Sequence, residues 1–433
     1  MKNEAGPQKG SALSLGLSFI VVVLYVLLLI PLARQAVGWY FFNRATESGL
    51  LSAGHFDSGN DTYPYLLGKL YLTDIQTPAP DKAIAHYRRS ISLNPLQSGA
   101  WTELSRAYRM TGRQKEAERA LERAVKLSPN DPGLMWDAGT FWITSGMTAE
   151  AFTAFRRYLL IEPDYQTMVY DLSWKLRPDN AYIFRNLVPE TYEHRSKYLA
   201  YLMSAKKTVE AQEVWKTLDQ GSLRQDDFIA YVNFLISNGL YEQAGEVWKE
   251  ITGKIGDRER DEAASLVWNS GFEHEILNGG FDWQIRETEG VNVFLDESVH
   301  MTGRRSLGVV FDGKHNPDIA FASEVIRVIP GASYQLKGNI KTEALTTTNG
   351  VFLQVTGHNC AGLDKRSEVM TGTAFWKEAL IDFDAPASCS AVVVMARRER
   401  SPKLDNKIEG TAWIDGISLR QQVSVQTSSS KKR

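Results

Sequence analysis

The stretch that decides the fold of this chain is SGAWTELSRAYRMTGRQKEAERALERAVKLSPND, residues 98–131. Trp101, Leu104 and Tyr108 lie three and four residues apart, so they share one face of a helix. A second series with the same spacing begins at Ala117, and Gly112 marks a turn between the two. The stretch therefore predicts a pair of amphipathic helices joined by a short turn.

The pattern recurs with a period of 34 residues between Pro64 and Tyr165. In each period a small alanine lets the two helices approach closely, and a proline closes the second helix. The aligned positions are Ala83, Ala117 and Ala151, then Tyr87, Leu121 and Phe155, and then Pro95, Pro129 and Pro163. This order of residue types resembles the tetratricopeptide repeat. A set of ordinary amphipathic helices without a common repeat is the alternative.

Helical patterns continue beyond Tyr165 with a weaker period. Ala211 and Ala244 are 33 residues apart, which predicts two degenerate repeats. The predicted helices of these repeats cover residues 195–205, 209–218, 228–237 and 241–251. We predict a tetratricopeptide-type α-solenoid over residues 43–252, with clear repeats in 64–165 and degenerate repeats in 195–252. Each repeat exposes an apolar face that its neighbour covers, so we expect the set to stack into a right-handed superhelix.

Residues 13–32, LSLGLSFIVVVLYVLLLIPL, form a run of twenty residues without a charge. A helix of this length spans about 30 Å, the thickness of the hydrocarbon core of a bilayer. Aromatic residues follow at 39–42, where an interfacial aromatic belt is expected. We predict a transmembrane anchor. A cleaved signal peptide is the alternative, although the run is longer than a signal-peptide core and no Ala-x-Ala site follows it.

The basic residues near the start of the chain indicate an orientation for this anchor. Lys2 and Lys9 precede the apolar run, while Arg34 and Arg44 follow it, so the flanking charges nearly balance. The terminal amine adds to the first set and favours a cytoplasmic N-terminus over residues 1–12. We therefore predict a single-pass protein of the bacterial cytoplasmic membrane with most of its chain outside the cytoplasm.

From about Asn278 the hydrophobic pattern changes to a period of two, and glycines separate eight short segments, which predicts a β-sandwich. The segments are 291–295, 306–311, 324–329, 334–342, 351–356, 376–383, 391–397 and 412–420. Short motifs accompany them: NGGFDW at 278–283, GRRSL at 303–307, FDAP at 383–386 and WIDGISL at 413–419. They resemble the jelly-roll β-sandwich of carbohydrate-binding modules attached to xylanases and related glycosidases. We predict this domain over 276–420 and a disordered tail over 421–433, which makes the fold multidomain, α then β.

The resemblance to the tetratricopeptide repeat implies that the first helix of each repeat lines a concave groove. Residues offset from the Trp101 stripe then point into that groove. They are Thr102, Arg106 and Arg109, and 34 residues later Trp136, Thr140 and Ile143. We predict that Trp136 is an aromatic anchor beside an arginine rim that binds an extended acidic peptide of a partner protein. The alternative is that Trp136 packs against the neighbouring repeats.

The resemblance to carbohydrate-binding modules implies two further sites. Trp283, Tyr334 and Trp376 are the rings expected to stack on a polysaccharide, and the alternative is that they belong to the core. In such modules the first and last strands often share a structural calcium, whose ligands here would be Asp282 and Asp415. Turn and edge carboxylates without a metal are the alternative; no other cofactor is predicted.

The chain contains two cysteines, Cys360 and Cys389. Cys360 follows one predicted strand and Cys389 precedes another. If those strands are antiparallel neighbours, the two sulfurs meet, and the predicted compartment is oxidising. We predict a disulfide, with a pair of free buried thiols as the alternative.

The charge balance and the absence of known catalytic motifs exclude some classes of function. The formal net charge of −2 gives no electrostatic basis for nucleic-acid binding. The chain lacks the Gly-x-Ser-x-Gly, Walker, His-Glu-x-x-His and Rossmann motifs, so we predict that it is not an enzyme, and a glycosidase is the least favoured reading. We predict a scaffold that binds proteins through its repeats and polysaccharide through its sandwich during envelope polysaccharide assembly or export. The alternative is an assembly factor that binds only proteins and has a purely structural sandwich.

Overall fold

A computed structural model describes residues 10–44, 46–74, 76–219, 221–255, 265–404 and 406–422. The chain divides into two compact units, Met1–Tyr201 and Leu202–Arg433. The predicted cytoplasmic N-terminus lies outside the described residues except for 10–12. The predicted disordered tail lies outside them except for 421 and 422.

The first unit is helical. Its helices are α1 (Gly10–Phe42), α2 (Glu47–Phe56), α3 (Thr62–Thr73), α4 (Pro80–Leu93), α5 (Ser98–Met110), α6 (Gln114–Leu127), α7 (Pro132–Thr144), α8 (Thr148–Ile161), α9 (Gln166–Leu176) and α10 (Asn180–Asn186), and α11 (Tyr192–Ser204) crosses into the second unit. A 3₁₀ turn at Pro163–Tyr165 separates α8 from α9.

Helix α1 contains the predicted apolar run and continues past residue 32 to Phe42. Its segment Phe19–Phe42 has a mean hydropathy of 2.3, and none of its most apolar part is buried. The helix is therefore long and apolar enough to cross a membrane. A signal sequence near an N-terminus also meets these criteria of length and hydropathy, so they do not by themselves distinguish the two alternatives.

The aromatic residues at the end of α1 fall into two groups. Trp39 and Tyr40 are exposed, as an interfacial belt requires. Phe41 instead stacks on Phe56 of α2, with ring centroids 5.5 Å apart, and Phe42 packs against α3. The end of α1 is thus part of a small apolar cluster shared with the first helices of the solenoid.

Three helix pairs, α3/α4, α5/α6 and α7/α8, correspond to the three clear repeats. Ala83, Ala117 and Ala151 are fully buried. On α7, a Cβ atom added to Gly139 would lie 2.5 Å from Cε1 of Phe155. Helices α7 and α8 therefore approach more closely than any side chain at that position permits.

The first repeat is longer than the other two. Gly68 on α3 faces Tyr87 as Gly139 faces Phe155, and a Cβ at Gly68 would lie 2.6 Å from the Tyr87 ring. The two rings are 68 residues apart, which is two periods of 34. The two glycines are 71 residues apart, which is three residues more than two periods. The irregular turn between α3 and α4 contains these three additional residues.

The second unit begins with helices α12 (Thr208–Trp215), α13 (Gln225–Ser237) and α14 (Tyr241–Ile255). Ala211 and Ala244 are fully buried, and Trp215 stacks on Tyr231 with ring centroids 4.0 Å apart. These helices belong to the same compact unit as the strands that follow. The predicted domain limits at 252 and 276 stay a prediction.

The described part of the second unit contains ten strands in two antiparallel sheets, ordered β1-β4-β9-β6-β7 and β2-β3-β10-β5-β8. The strands are β1 (Gln284–Ile285), β2 (Val291–Asp296), β3 (Ser306–Asp312), β4 (Ile319–Arg327), β5 (Ser333–Leu345), β6 (Phe352–Gly357), β7 (Asp364–Arg366), β8 (Gly372–Asp384), β9 (Ala391–Arg398) and β10 (Glu409–Gln421). Eight of them match predicted segments. Strands β1 and β7 are too short to show an alternating pattern.

The core of the sandwich lies between the two sheets. Along β5, buried residues alternate with half-buried ones from Tyr334 to Thr342, as a strand with one face in the core requires. The pairing of β10 with β5 shifts between Asp415 and Ser418, and Gly416 supplies a φ of 62° at this bulge. The predicted order of an apolar N-terminal helix, helical repeats and a β-sandwich is confirmed.

Candidate functional site

Four of the predicted groove residues lie together in the first unit. They line a small cavity of about 60 Å³ between α5 and α7, which we call the α5/α7 groove. Its polar and aromatic lining comprises Thr102, Ser105, Arg106 and Arg109 of α5 and Asp137, Thr140 and Phe141 of α7.

The arginines of this groove are already engaged by neighbouring side chains. Arg106 contacts Glu103 at 3.1 Å and Asp137 at 3.0 Å. The Arg109 guanidinium lies 5.3 Å from the centroid of the Phe141 ring. Exposed ion pairs of this kind contribute about 0–1 kcal/mol to the stability of the protein. A ligand that displaces them therefore costs the protein little stability. Its own ion pairs with the arginines only replace those that were broken. Asp137 was not predicted, although it precedes Thr140 by three residues and shares its face of α7.

The structure places Trp136 and Ile143 outside the groove lining. The Trp136 ring is half-buried, with its centroid 5.4 Å from that of Phe155 and 5.6 Å from that of Tyr158. Both of those rings belong to α8, the second helix of the same repeat. This geometry agrees with the alternative in which Trp136 packs within the repeats, because the indole is long enough to reach α8. The ring that lines the groove is Phe141.

Two of the three rings predicted to contact glycan are inside the sandwich. Trp283 is fully buried and its Nε1 donates to a backbone carbonyl at 3.0 Å. Tyr334 is 1% exposed and its hydroxyl accepts from the backbone N–H of Ile329 at 2.7 Å. Trp376 is half-buried on the edge strand β8, next to Phe375, which is 90% exposed. Only Trp376 of the predicted set therefore retains accessible ring surface of any size.

A larger cavity of about 740 Å³ lies within the second unit, between α14 and β4 with its following loop. We call it the α14/β4 cavity. Aromatic and polar side chains line it together, and Arg327 forms an ion pair with Glu242 at its edge. The lining includes Trp248, Trp268, Phe281, Gln243 and Lys249. The sequence did not reveal this set, because its members come from three separate segments.

The two carboxylates predicted to bind calcium are both fully buried. One Asp415 oxygen accepts the backbone N–H groups of Met301 and Thr302 at 2.7 and 2.8 Å. The Asp282 oxygens accept the backbone N–H groups of Leu277 and Trp283 at 2.7 and 2.8 Å. Backbone N–H groups thus hold both carboxylates in place, and a calcium ion at these residues stays a prediction.

Two further observations describe the surroundings of these carboxylates. Burial raises the pKa of the Asp415 carboxyl above its ordinary value, and the N–H groups that it accepts lower it in part. In the part of the chain that the structure describes, no group of three or more His, Cys, Asp or Glu residues is arranged to hold a metal ion.

Cys360 and Cys389 form a disulfide, with Cα atoms 5.4 Å apart. The adjacent strands β6 and β9 are antiparallel neighbours, which brings the end of one to the start of the other. Cys389 is fully buried. The bond thus links two loops at one end of the first sheet.

Comparison with known proteins agrees with the helical part of this description. Residues 98–141 match the tetratricopeptide repeat. The match covers α5, α6 and most of α7, which are the helices that line the α5/α7 groove. Tetratricopeptide repeats are protein-binding modules, so the helical unit has the fold of a protein-binding scaffold. The curated proteins contain no match to this chain.

Solved structures resemble separate parts of the chain. A crystal structure of MamA protein is 20% identical, covers 41% of this chain and 94% of its own, and has a TM-score of 0.30. TmCBM61 in complex with beta-1,4-galactotriose is 18% identical, covers 36% and 99%, and scores 0.26. A xylan-binding domain from CBM 22 is 14% identical, covers 36% and 96%, and scores 0.27. Likeness at this level concerns the fold alone and assigns no ligand or partner.

Proposed function

We propose that this protein is a single-pass scaffold of the bacterial cytoplasmic membrane that binds partner proteins outside the cytoplasm through its tetratricopeptide-type repeats. Helix α1 is the membrane anchor in this proposal. The repeats α3–α8 present the α5/α7 groove to a partner. No catalytic step is part of this function.

The observation that carries the proposal is the junction between α1 and the repeats. Arg34 of α1 donates to the backbone carbonyl of Phe56 at 2.9 Å, and Phe41 stacks on the same residue. Arg34 and Phe41 both lie on the part of α1 that continues past the apolar run, and α1 is one helix from Gly10 to Phe42. In this proposal residues 13–32 stay attached, so these contacts support a junction that holds the first repeat close to the membrane surface.

A topology experiment tests the anchor. Alkaline phosphatase fused after Arg433 should be active, and green fluorescent protein fused at the same position should not fluoresce, because the second unit lies outside the cytoplasm. The intact protein should stay in the membrane fraction after a carbonate wash, and a variant without residues 13–32 should not. A mature protein that starts beyond residue 32 would identify a signal peptide and remove the anchor from the proposal.

Glycan binding by the second unit is a second candidate function. The α14/β4 cavity favours it, because aromatic rings stack on the apolar faces of sugars while amide, ammonium and guanidinium groups bind their hydroxyls. Its volume of about 740 Å³ lies in the range of small-molecule sites. Trp376 and Phe375 on β8 are the competing platform. A role in envelope polysaccharide assembly or export requires one of these surfaces to bind glycan.

Glycan arrays with the detergent-solubilised full chain separate the two surfaces. Binding at the α14/β4 cavity predicts a loss in Gln243→Ala and Lys249→Ala, whose side chains line the cavity. Glu246→Ala is the matched control, since Glu246 is exposed on the same helix and outside the lining. A loss confined to Phe375→Ala would place the site on β8. No binding to any glycan would favour the alternative of a protein-binding assembly factor with a structural sandwich.

A further inference from the structure

A second cavity of the first unit opens on a different face of α5. It has a volume of about 490 Å³ and lies between α4, α5 and α6. Trp101, Leu104 and Tyr108 form its floor, and Ile91 and Ala120 form its sides. We call it the α4/α6 pocket. These residues are the stripe that identified the repeat in the sequence, and the small side chain of Ala120 leaves part of that stripe uncovered.

The floor of this pocket is held in place by the protein itself. The indole Nε1 of Trp101 donates to the backbone carbonyl of Pro95 at 3.0 Å, which fixes the orientation of the ring. Leu104 is almost completely buried, while Trp101 and Tyr108 remain half-buried. The pocket therefore offers a preorganised apolar surface, which lowers the entropic cost of binding.

Three exposed arginines surround the opening, Arg88 from α4 and Arg119 and Arg123 from α6. Other arginines of this region are paired: Arg106 and Arg113 contact aspartates at 3.0 and 2.8 Å. Within the described residues, no carboxylate lies within 4.0 Å of the three guanidinium groups at the opening. Their hydrogen-bond donors are available to an external anion.

The two faces of α5 are separate. At 3.6 residues per turn, the Trp101, Leu104 and Tyr108 stripe lies roughly 130° around the helix from the side chains that line the α5/α7 groove. One bound segment cannot occupy both. A ligand of the α4/α6 pocket would therefore bind independently of the groove.

We propose that the α4/α6 pocket binds an acidic segment of a partner protein that inserts one bulky apolar side chain. The apolar floor takes that side chain, and the arginines pair with carboxylates on either side of it. Only Glu116 adds a negative charge to the lining, so the opening keeps a net positive charge. Leu104, Ile91 and Ala120 present an aliphatic surface that suits the apolar side chain of a peptide, and a sugar hydroxyl placed against these three side chains would find no hydrogen-bond partner on them.

A peptide array tests this proposal on the full chain in detergent micelles. Its members place phenylalanine, tryptophan, leucine or methionine between aspartates and glutamates at varied spacing. Matched members replace the apolar residue with serine or the acids with their amides. We expect binding by acidic members with an apolar centre and at least tenfold weaker binding by both matched sets. Binding should also weaken as salt is raised, because it depends on ion pairs.

Two variants connect that binding to the pocket. Arg119→Ala combined with Arg123→Ala should weaken it at least tenfold, whereas Lys126→Ala, an exposed basic residue on α6 outside the lining, should not. Ala120→Leu, whose side chain would enter the cavity, should block it without a change in charge. Far-UV circular dichroism checks that each variant is folded.

Three results would overturn the proposal. The first is an array without a binding member, and the second is binding that the double arginine variant retains. The third is arginine-dependent binding of alginate in place of the peptides, which would assign the pocket to an acidic glycan. None of these results depends on the membrane anchor or on the α14/β4 cavity.

Discussion

Replacement of Trp136 by alanine distinguishes a residue that holds the repeat together from a residue that binds a partner. The Trp136 ring lies 5.4 Å from Phe155 and 5.6 Å from Tyr158, measured between centroids. Aromatic pairs contribute about 0.5–1.5 kcal/mol each beyond the area that they bury. Burial of the larger part of the side chain adds roughly 1–2 kcal/mol. Alanine has the higher helix propensity and returns about 0.5 kcal/mol.

We therefore expect Trp136→Ala to lower the free energy of unfolding of the first unit by about 2–3 kcal/mol, below the range for a fully buried tryptophan. Urea denaturation followed by far-UV circular dichroism measures this change. With a slope near 2 kcal/mol per molar, the midpoint should fall by about 1–1.5 M.

Two further variants make this experiment decisive. Thr140→Ala alters a half-buried residue on the same helix whose hydroxyl bonds only to its own helix, so its effect should stay within about 0.5 kcal/mol. Trp136→Phe keeps a ring against α8 and should lose less than the alanine variant. The reasoning would be refuted if Trp136→Ala kept wild-type stability and instead lost partner binding, since the ring would then belong to the groove.

Three further predictions concern packing, the disulfide and pH. Gly139→Ala should destabilise the first unit by about 1–2 kcal/mol in urea, because overpacking outweighs the gain in helix propensity. Gly133→Ala, in the exposed first turn of α7, should not destabilise it. Equal effects of the two variants would contradict the close approach of α7 and α8. Reduction of Cys360–Cys389, or its replacement by two serines, should lower the stability of the second unit by about 3 kcal/mol in the same assay, and an unchanged midpoint would argue against a stabilising bond. The pKa of Asp415 in the folded protein lies above its ordinary value of 3.8. The protonated carboxyl therefore contributes to the stability of the fold below pH 3.8, and this contribution is lost as pH rises through the raised pKa. Asp415→Asn should therefore gain stability relative to the wild type between about pH 3.5 and pH 7, and a constant difference would contradict the raised pKa.

The sequence by itself determined the class of each region. The spacing of apolar residues predicted a helix pair over 98–131 with a turn at Gly112, where α5 and α6 lie, because the apolar face of a helix must recur at 3.6 residues to be buried. The uncharged run at 13–32 identified α1, because it is long enough to span a bilayer as a helix. The alternating segments after residue 278 identified the strands, because side chains alternate between the two faces of a sheet. Periodicity gave no signal where elements are too short to repeat, as in β1 and β7.

Only the tertiary structure decided what individual side chains do. Thr102 and Trp136 are 34 residues apart and occupy the same position in their repeats, yet Thr102 lines the groove while the longer Trp136 side chain turns onto α8. Trp283 and Tyr334 belong to the sandwich core. Arg106 of α5 pairs with carboxylates, whereas Arg119 and Arg123 of α6 have no carboxylate partner within the described residues. A sequence pattern reports which face of an element is apolar. It does not report how far a side chain reaches or which distant residue meets it, because those depend on packing between segments that are far apart in the chain.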